Sequence, residues 1–253
     1  MSTDEAGTSC VRIGGTRPEN PTLIEGLPGL GLVASIAVDQ ITEQLGLEHH
    51  SSVQSKDFPP VITFEDGLVQ DLVRVYAGDE PPVMTLKSDL ALPPNAYGPL
   101  STCVLSELAA DAERAIFIAG DPAENEEQIG EVTGVATTDE IKSTLIDTGI
   151  SIADEHGVVG GITGALVREC YQLDVPAALL IVRAHPRLPD PSAAKAVIEN
   201  ALEPLVEFDI DTTELEEHAE EIRQQMRQIA QQYEQSLKEQ REKTEPRTMG
   251  MYQ

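Results

Sequence analysis

The stretch Leu23-Ile24-Glu25-Gly26-Leu27-Pro28-Gly29-Leu30-Gly31-Leu32-Val33-Ala34 decides the fold class of this protein. It begins as an apolar run of strand character, passes through a turn rich in glycine and proline, and continues with apolar residues at helical spacing as far as Leu45. A strand, a glycine turn and a helix in that order form the unit from which α/β domains with parallel strands are built.

The same alternation of strands and helices continues along the chain. Apolar runs at 115–119 and 177–182 are typical of strands that a parallel sheet buries on both faces. The spacing of apolar residues predicts helices at 139–147 and 164–173. We therefore predict an α/β fold in which a three-layer αβα domain spans residues 21–210.

Local signals refine this domain. Asp66-Gly67 between two β-rich runs predicts a hairpin that supplies some antiparallel pairing. Asp190 followed by Pro191 predicts the start of a helix, because aspartate caps helix N-termini and proline fits the first turn. Residues 1–20 lack periodicity and are predicted to form a flexible N-terminal arm, with a short strand near residues 11–13.

The composition changes after residue 212. Residues 213–243 contain neither glycine nor proline, and apolar residues recur there at spacings of four and three. These residues are Leu215, Ala219, Ile222, Met226, Ile229 and Tyr233. We predict one long helix over 212–243 that forms a coiled coil between subunits, and a last helix folded onto its own domain is the alternative. Residues 244–253 are predicted to form a flexible tail.

The charge balance argues against two classes of partner. The chain has 44 Asp and Glu residues against 17 Lys and Arg residues, which gives a formal net charge of −27. Such a surface repels the phosphates of nucleic acids and the headgroups of anionic membranes. The acidic residues are spread along the whole chain. This distribution indicates a halophilic protein, because molar salt screens the repulsion among surface carboxylates.

The cysteines and the N-terminal residues indicate a cytoplasmic protein. Cys10, Cys103 and Cys170 are an odd number of thiols at wide spacing, which favours reduced thiols over a disulfide framework. No signal peptide is visible. The longest largely apolar run, residues 26–38, is shorter than the roughly 20 residues that span a bilayer.

Two glycine-rich turns could carry a ligand. Gly29 and Gly31 precede the first helix in a weak match to the dinucleotide-binding fingerprint, and Gly160 and Gly161 precede a later helix. Three explanations stay open: tight turns with close packing, a small-anion site, or a bound dinucleotide. The residues that follow the first helix offer no acidic group to hold a ribose, which weighs against the dinucleotide.

The sequence assigns no catalytic residue, no metal and no cofactor. It contains no Gly-Lys-Ser/Thr phosphate loop, no His-Glu-x-x-His or Cys-x-x-Cys motif, and no Gly-x-Ser-x-Gly elbow. Neighbouring carboxylates such as Glu216 and Glu217 are expected on solvated helix faces in so acidic a chain.

The last three residues, Met251-Tyr252-Gln253, form the most specific short motif. A hydrophobic residue, a tyrosine and a residue bearing a free carboxylate together offer an aromatic ring, a phenol and a negative charge to a pocket on another protein. We predict that this tripeptide binds a partner.

Four segments also carry a family resemblance: residues 23–34, Phe58-Pro59-Pro60, residues 160–166, and Val175-Pro176-Ala177. Through them the sequence resembles the archaeal proteasome-assembly-chaperone family, which is related to the second subunit of the eukaryotic assembly-chaperone heterodimer. The acidic composition points to a haloarchaeal member.

The resemblance implies a fold similar to nucleoside phosphorylases, no enzymatic chemistry, and binding to proteasome α-subunits. Some members end in a hydrophobic-Tyr-X tail, which Met251, Tyr252 and Gln253 match. The resulting hypothesis is a proteasome assembly chaperone or core-particle docking factor that forms a homo-oligomer or a complex with a paralogue. The alternative is a small-molecule enzyme, phosphorylase-like or an ATP-dependent ligase, that uses a crevice between the two glycine turns.

Overall fold

The predicted strand of the strand–glycine turn–helix unit is the middle strand of a nine-stranded sheet, and the predicted helix follows it. The structure is a computed structural model, and it describes residues 7–14, 17–109, 112–222 and 224. The strands are β1 (Thr8–Arg12), β2 (Thr22–Gly26), β3 (Glu48–Ser55), β4 (Thr63–Glu65), β5 (Leu68–Gln70), β6 (Val73–Asp79), β7 (Pro82–Ser88), β8 (Arg114–Pro122), β9 (Val132–Ala136), β10 (Ser151–Ile152) and β11 (Ala177–Ala184).

Seven helices accompany these strands in the described part of the chain. They are α1 (Val33–Gln44), α2 (Tyr97–Glu107), α3 (Asp139–Asp147), α4 (Gly161–Gln172), α5 (Pro191–Val197), α6 (Glu203–Val206) and α7 (213–222). A π-helical turn, Ile198–Leu202, joins α5 to α6. None of the helices in the described ranges is long and apolar enough to cross a membrane.

The main sheet has the strand order β1-β3-β6-β7-β2-β8-β11-β9-β10. Strands β7, β2, β8 and β11 run parallel to one another and form its centre. On one side β6, β3 and β1 continue the sheet with antiparallel pairing, and on the other side β9 is antiparallel to β11. Because these central strands run in the same direction, their carboxyl ends lie together at one end of the sheet.

The core lies on both faces of this sheet. One apolar cluster contains buried residues of α1, α3 and α5, and the other contains buried residues of α2 and α4. Ile24 of β2 belongs to the first cluster and the adjacent Leu23 to the second, because neighbouring strand residues point to opposite faces. The predicted α/β fold with a large central sheet is confirmed, with helices on both of its faces.

Local sequence signals for turns and caps are confirmed. Asp66 and Gly67 both have positive φ, 49° and 78°, in the tight turn between β4 and β5. This hairpin forms a separate two-stranded sheet, so it adds no strand to the main sheet. The Asp190 carboxylate accepts a hydrogen bond from the backbone N–H of Ala193 at 3.1 Å and caps α5.

The N-terminal region differs from the flexible arm predicted for residues 1–20. Thr8–Arg12 is the edge strand β1, antiparallel to β3, so the strand predicted near residues 11–13 begins earlier. Strand β3 itself was not predicted, because Glu48–Ser55 is almost entirely polar. Strands pair with both of its edges, and the side chains at its centre are buried, with Val53 in the second apolar cluster.

The C-terminal helix starts at residue 213, within one residue of the predicted start at 212. Helix α7 covers 213–222, and within it Leu215 and Ala219 are buried against their own domain, whereas Ile222 is half-buried. The described start of the helix therefore follows the alternative of a last helix folded onto its own domain. Met226, Ile229 and Tyr233, with most of the predicted coiled coil and the 244–253 tail, lie outside the described residues, and self-association through this segment stays a prediction.

Candidate functional site

A fully buried carboxyl group lies at the end of the central strand. Glu25 of β2 has no exposed surface. Its Oε1 accepts a hydrogen bond from the backbone N–H of Leu27 at 3.1 Å, and the hydroxyl of Thr163 donates to both carboxyl oxygens at 3.4–3.5 Å. The backbone of Ile118 in β8 supplies a further hydrogen bond. Glu25 thus links β2 to β8 and to the first turn of α4.

The sheet geometry explains why a polar group fits at this position. Strand β2 pairs with β8 only as far as Ile24 opposite Ile116, whereas it pairs with β7 as far as Gly26. Beyond Ile24, β2 and β8 no longer pair through their backbones. The Glu25 carboxyl group instead bonds to the backbone of Ile118 in β8. Helices α1 and α2 follow the adjacent parallel strands β2 and β7 on opposite faces of the sheet. Such a switch point is where open α/β sheets commonly bind ligands.

Burial changes the acidity of this group. Desolvation raises the pKa of Glu25 from 4.5 to about 8, against hydrogen bonds from Leu27, Ile118 and Thr163 that favour the ionised form. The carboxyl group is therefore mostly protonated at neutral pH and can act both as a donor and as an acceptor.

The first glycine turn is held by close packing. Gly31 has a φ of 66°, and a Cβ atom there would lie 3.0 Å from the Cβ of Ala184 at the end of β11. The carbonyl of Gly31 accepts a hydrogen bond from the backbone N–H of Asp190 at 2.8 Å. Gly29 has an extended backbone and open space where a Cβ would stand. Gly31 therefore serves the turn itself, which is the packing explanation offered by the sequence.

The second glycine segment is more open. Nothing lies within 4 Å of a Cβ built on Gly160 or Gly161, and Gly161 has a φ of 71°. Gly164 has no room for a side chain, because a Cβ would lie 2.3 Å from the carbonyl oxygen of Val159. Thr163 is the residue of this segment that contacts Glu25, so the buried carboxyl group links the end of β2, before the first glycine turn, to the helix that follows the second.

This arrangement bears on the predicted anion site at Gly29, Gly31, Gly160 and Gly161. A carboxyl group between the turns opposes an anion whenever it is ionised, and only its raised pKa removes that charge at neutral pH. One surface cleft of about 280 Å³ is lined by residues 17–20. A second cleft of about 420 Å³ is lined by residues 134–139, 142 and 152–153. Neither cleft is lined by Glu25 or by these glycines. Among residues with described coordinates, no group of three or more His, Cys, Asp or Glu could hold a metal ion.

Sequence reasoning missed the role of Glu25, although a signal was present. An acidic residue inside the apolar run Leu23-Ile24-Glu25 at the end of a buried strand is unusual, because carboxylates are rarely fully buried without partners. Leu27 is near Glu25 in the chain, but Thr163 lies 138 residues away and Ile118 belongs to another strand, so neither could be identified from the sequence.

A second feature is an exposed apolar surface on the β4–β5 hairpin. Five large apolar residues of this segment are exposed to solvent: Val61, Ile62, Phe64, Leu68 and Val69. Phe64 lies opposite Val69, and Ile62 precedes Phe64 by two residues, so these three side chains share one face. The exposed fraction is 76% for Phe64, 68% for Val69 and 67% for Ile62. We call this face the hairpin surface.

The other face of the hairpin is attached to the domain. Arg74 of β6 donates to the hydroxyl of Thr63 at 3.0 Å and to the carboxylate of Asp89 through two nitrogens at 2.8 and 2.9 Å. Burial tends to raise the pKa of Asp89, but the hydrogen bonds and charge of Arg74 outweigh it and the pKa is lowered. The hydrogen bond from Arg74 joins the Thr63 face to the domain at one point, and the hairpin surface lies on the opposite face.

The residues predicted to dock a partner are not among those described. Met251, Tyr252 and Gln253 lie outside the described ranges, so the structure does not test their role. The hairpin surface, which the sequence analysis did not single out, is an exposed apolar surface within the described residues.

Comparisons with known proteins identify the family. The chain is 28% identical to the uncharacterized protein MJ0106 of Methanocaldococcus jannaschii over 216 residues, covering 85% of this chain and 87% of the relative. It resembles the crystal structure of Pyrococcus furiosus PbaA, described as an archaeal homolog of proteasome-assembly chaperone, with a TM-score of 0.80, 25% identity, and coverage of 94% of this chain and 97% of PbaA.

A second solved structure shares the fold. Pyrococcus furiosus PbaB, described as an archaeal proteasome activator, matches with a TM-score of 0.78 and 22% identity over 89% of this chain and 99% of PbaB. The haloarchaeal origin predicted from charge stays a prediction.

The model of the PAC2 family matches residues 23–230, which include Glu25, both glycine turns and the hairpin surface. The chain belongs to the PAC2 family.

Proposed function

We propose that the protein is a non-enzymatic assembly chaperone or docking factor for the proteasome core particle. The observation that carries this proposal is the likeness to PbaA, a homolog of proteasome-assembly chaperone, along 94% of the chain at a TM-score of 0.80. Family membership and the likeness of fold to PbaB support it. On this proposal the protein works by binding other proteins, and its α/β domain is a rigid support.

The first contact in this proposal is the C-terminal tripeptide. Met251, Tyr252 and Gln253 bind proteasome α-subunits, with the Tyr252 ring and phenol in a pocket and the carboxylate facing a cationic group. One tripeptide makes a weak contact. A homo-oligomer or a complex with a paralogue gains effective concentration when the spacing of its tails matches the spacing of the pockets.

The second contact in this proposal is the hairpin surface. Water-exposed apolar side chains grouped on one face commonly mark protein-binding surfaces. Glu65 and Asp66 are exposed beside it, and the whole chain has a formal net charge of −27. The surface of the core particle that receives Ile62, Phe64 and Val69 is therefore expected to be apolar with lysine or arginine at its border.

A pull-down with proteasome core particles in high salt tests both contacts. The wild-type chain, Tyr252→Ala, a chain lacking the last three residues, and Phe64→Ser are compared. Tyr171→Ser is the matched control, because Tyr171 is also an exposed aromatic residue, 67% accessible, but lies on α4. We expect lower retention of the three variants and unchanged retention of Tyr171→Ser. Undiminished binding of both tail variants would refute the role of the tail.

A second candidate function rests on Glu25. A mostly protonated carboxyl group at a switch point of a parallel sheet, between two glycine turns, is the kind of group that small-molecule enzymes use for proton transfer. The candidate is a phosphorylase-like enzyme or an ATP-dependent ligase. Thermal unfolding of the protein with phosphate, nucleosides or ATP should then show saturable stabilisation. An unchanged midpoint with all three would count against this candidate and leave the first one intact.

A further inference from the structure

Two cysteines that are far apart in the sequence meet at the edge of the sheet. Cys10 lies in the edge strand β1, and Cys103 lies in α2, which packs beside that strand. Their Sγ atoms are 2.6 Å apart, although 93 residues separate them in the chain. Cys103 is 7% exposed and Cys10 is half-buried, and both lie at the contact between β1 and α2.

The distance is shorter than ordinary packing of two sulphur atoms and longer than the roughly 2.05 Å of a disulfide bond. The third cysteine offers a contrast within the same chain. Cys170 in α4 is fully buried in the apolar core. Two thiols are therefore placed for bonding to each other, and the third is placed as a small apolar side chain.

We propose that Cys10 and Cys103 are a site of reversible oxidative modification, at which a low-molecular-weight disulfide such as oxidised glutathione converts the two thiols into a disulfide bond. The site takes its co-reactant from outside the protein. The modification is independent of the proposed binding to proteasomes.

The reaction proceeds in two exchanges. The Cys103 thiolate attacks one sulphur of oxidised glutathione, forms a mixed disulfide and releases one glutathione thiolate, which takes up a proton. The Cys10 sulphur then attacks the Cys103 sulphur, loses its proton and releases the second glutathione. Two protein thiols are oxidised by two electrons, and one external disulfide is reduced to two thiols.

The environment of the pair fits this order of attack. The hydrogen bond between the two sulphur atoms, together with burial, raises the pKa of Cys10, and the same hydrogen bond lowers the pKa of Cys103 although burial opposes it. These shifts favour the thiolate on Cys103, and within the proposal Cys103 makes the first attack. Glu107, one turn further along α2, disfavours ionisation of both thiols.

The bond attaches the edge of the sheet to a helix. Strand β1 pairs with β3 alone in the described chain, so its other edge has no strand partner. A Cys10–Cys103 bond would hold β1 against α2 and close a loop that includes β2, α1 and the hairpin. We expect the oxidised protein to unfold at a higher temperature than the reduced protein, because cross-linking a long loop restricts the unfolded chain.

The test uses the purified full-length chain, treated with oxidised glutathione or with dithiothreitol. We expect the oxidised sample to lose two hydrogen atoms in its intact mass and to yield a linked Cys10–Cys103 peptide after digestion without reductant. Dithiothreitol should restore both thiols. Cys170→Ser should form the same linked peptide, since Cys170 takes no part.

A second variant keeps the test decisive. Cys10→Ser should accumulate a glutathione adduct on Cys103, because the resolving thiol is missing. Two free thiols in the treated wild-type protein, a stable glutathione adduct in place of the link, or a link that involves Cys170 would each overturn the proposal.

Discussion

Glu25 and the hairpin surface are two regions in which the usual arrangement of polar and apolar groups is reversed. Glu25 is an acidic residue without solvent exposure, surrounded by the carboxyl ends of central strands. The hairpin surface consists of Ile62, Phe64 and Val69, which are each about two-thirds or more exposed. Both arrangements cost stability, because a carboxyl group loses water and apolar side chains face it.

The difference lies in what offsets that cost. Glu25 receives hydrogen bonds from Leu27, Thr163 and Ile118, all within the chain, so its burial is explained by its own fold. The apolar side chains of the hairpin surface face solvent in the described chain. In the proposed function a bound partner would offset their exposure, so the hairpin is the better candidate for an interface and Glu25 for a structural link.

At a single pH, the largest expected effect comes from removing the buried carboxyl group. Glu25→Ala leaves the N–H of Leu27 without its acceptor and opens a cavity, so we expect a loss of about 3 kcal/mol in the free energy of unfolding. Urea denaturation at fixed salt measures it. Thr163→Val, which removes only the longer hydrogen bonds of 3.4–3.5 Å, should cost less than about 1 kcal/mol. Equal losses in the two variants would contradict the assigned roles.

The pH dependence of the free energy of unfolding distinguishes the contribution of Glu25 protonation from the contribution of its packing. The folded pKa of about 8 exceeds the ordinary value of 4.5, so between these limits the folded state keeps a proton that the unfolded chain releases. This contribution is complete below pH 4.5 and is lost as the pH rises through about 8.

In the Glu25→Gln variant the side chain at position 25 does not titrate, so its contribution to stability does not depend on pH. Relative to this variant, the wild-type protein should lose up to about 1.4 kcal/mol of stability per pH unit within that window. Denaturation of both proteins over a pH series gives the difference, in which the titration of the other acidic residues cancels. Parallel stability curves for the two proteins would show that Glu25 is not the titrating group.

The glycine turns allow a matched comparison inside the first region. Gly31→Ala forces an alanine into positive φ and against Ala184, so we expect a loss of about 1–2 kcal/mol in the free energy of unfolding. Gly29→Ala meets open space with an extended backbone, and its effect should be below about 0.5 kcal/mol. Thermal or urea unfolding distinguishes the two, and a costly Gly29→Ala would indicate packing that the turn does not show.

The smallest effect on stability is expected at the hairpin surface. Phe64→Ser should change the free energy of unfolding by less than about 0.5 kcal/mol, because the ring is 76% exposed and leaves no cavity. The same variant should lose binding in the core-particle pull-down. A loss of more than about 1 kcal/mol with unchanged binding would mean that Phe64 supports the fold of the chain and is no interface residue.

Much of the architecture could be predicted from local patterns. The buried strands β8 and β11, the helix α3 and the Asp190 cap follow from apolar runs and capping chemistry. Strand β3 could not be predicted in this way, because its residues are mostly polar and its place between β1 and β6 depends on pairing with distant segments. The hairpin turn at Asp66-Gly67 was predictable. The exposure of its apolar face was not, because alternating apolar residues normally indicate a buried face.

The sequence alone determined the strand, glycine turn and helix at 23–34, the tight hairpin turn and the charge, because each depends on neighbouring residues or on composition. Tertiary structure decided which residues meet. Glu25 contacts Thr163 across 138 residues, and Cys10 contacts Cys103 across 93. Such pairs depend on the strand order and on which face each helix covers, and neither property is encoded in the spacing of residues along a single segment.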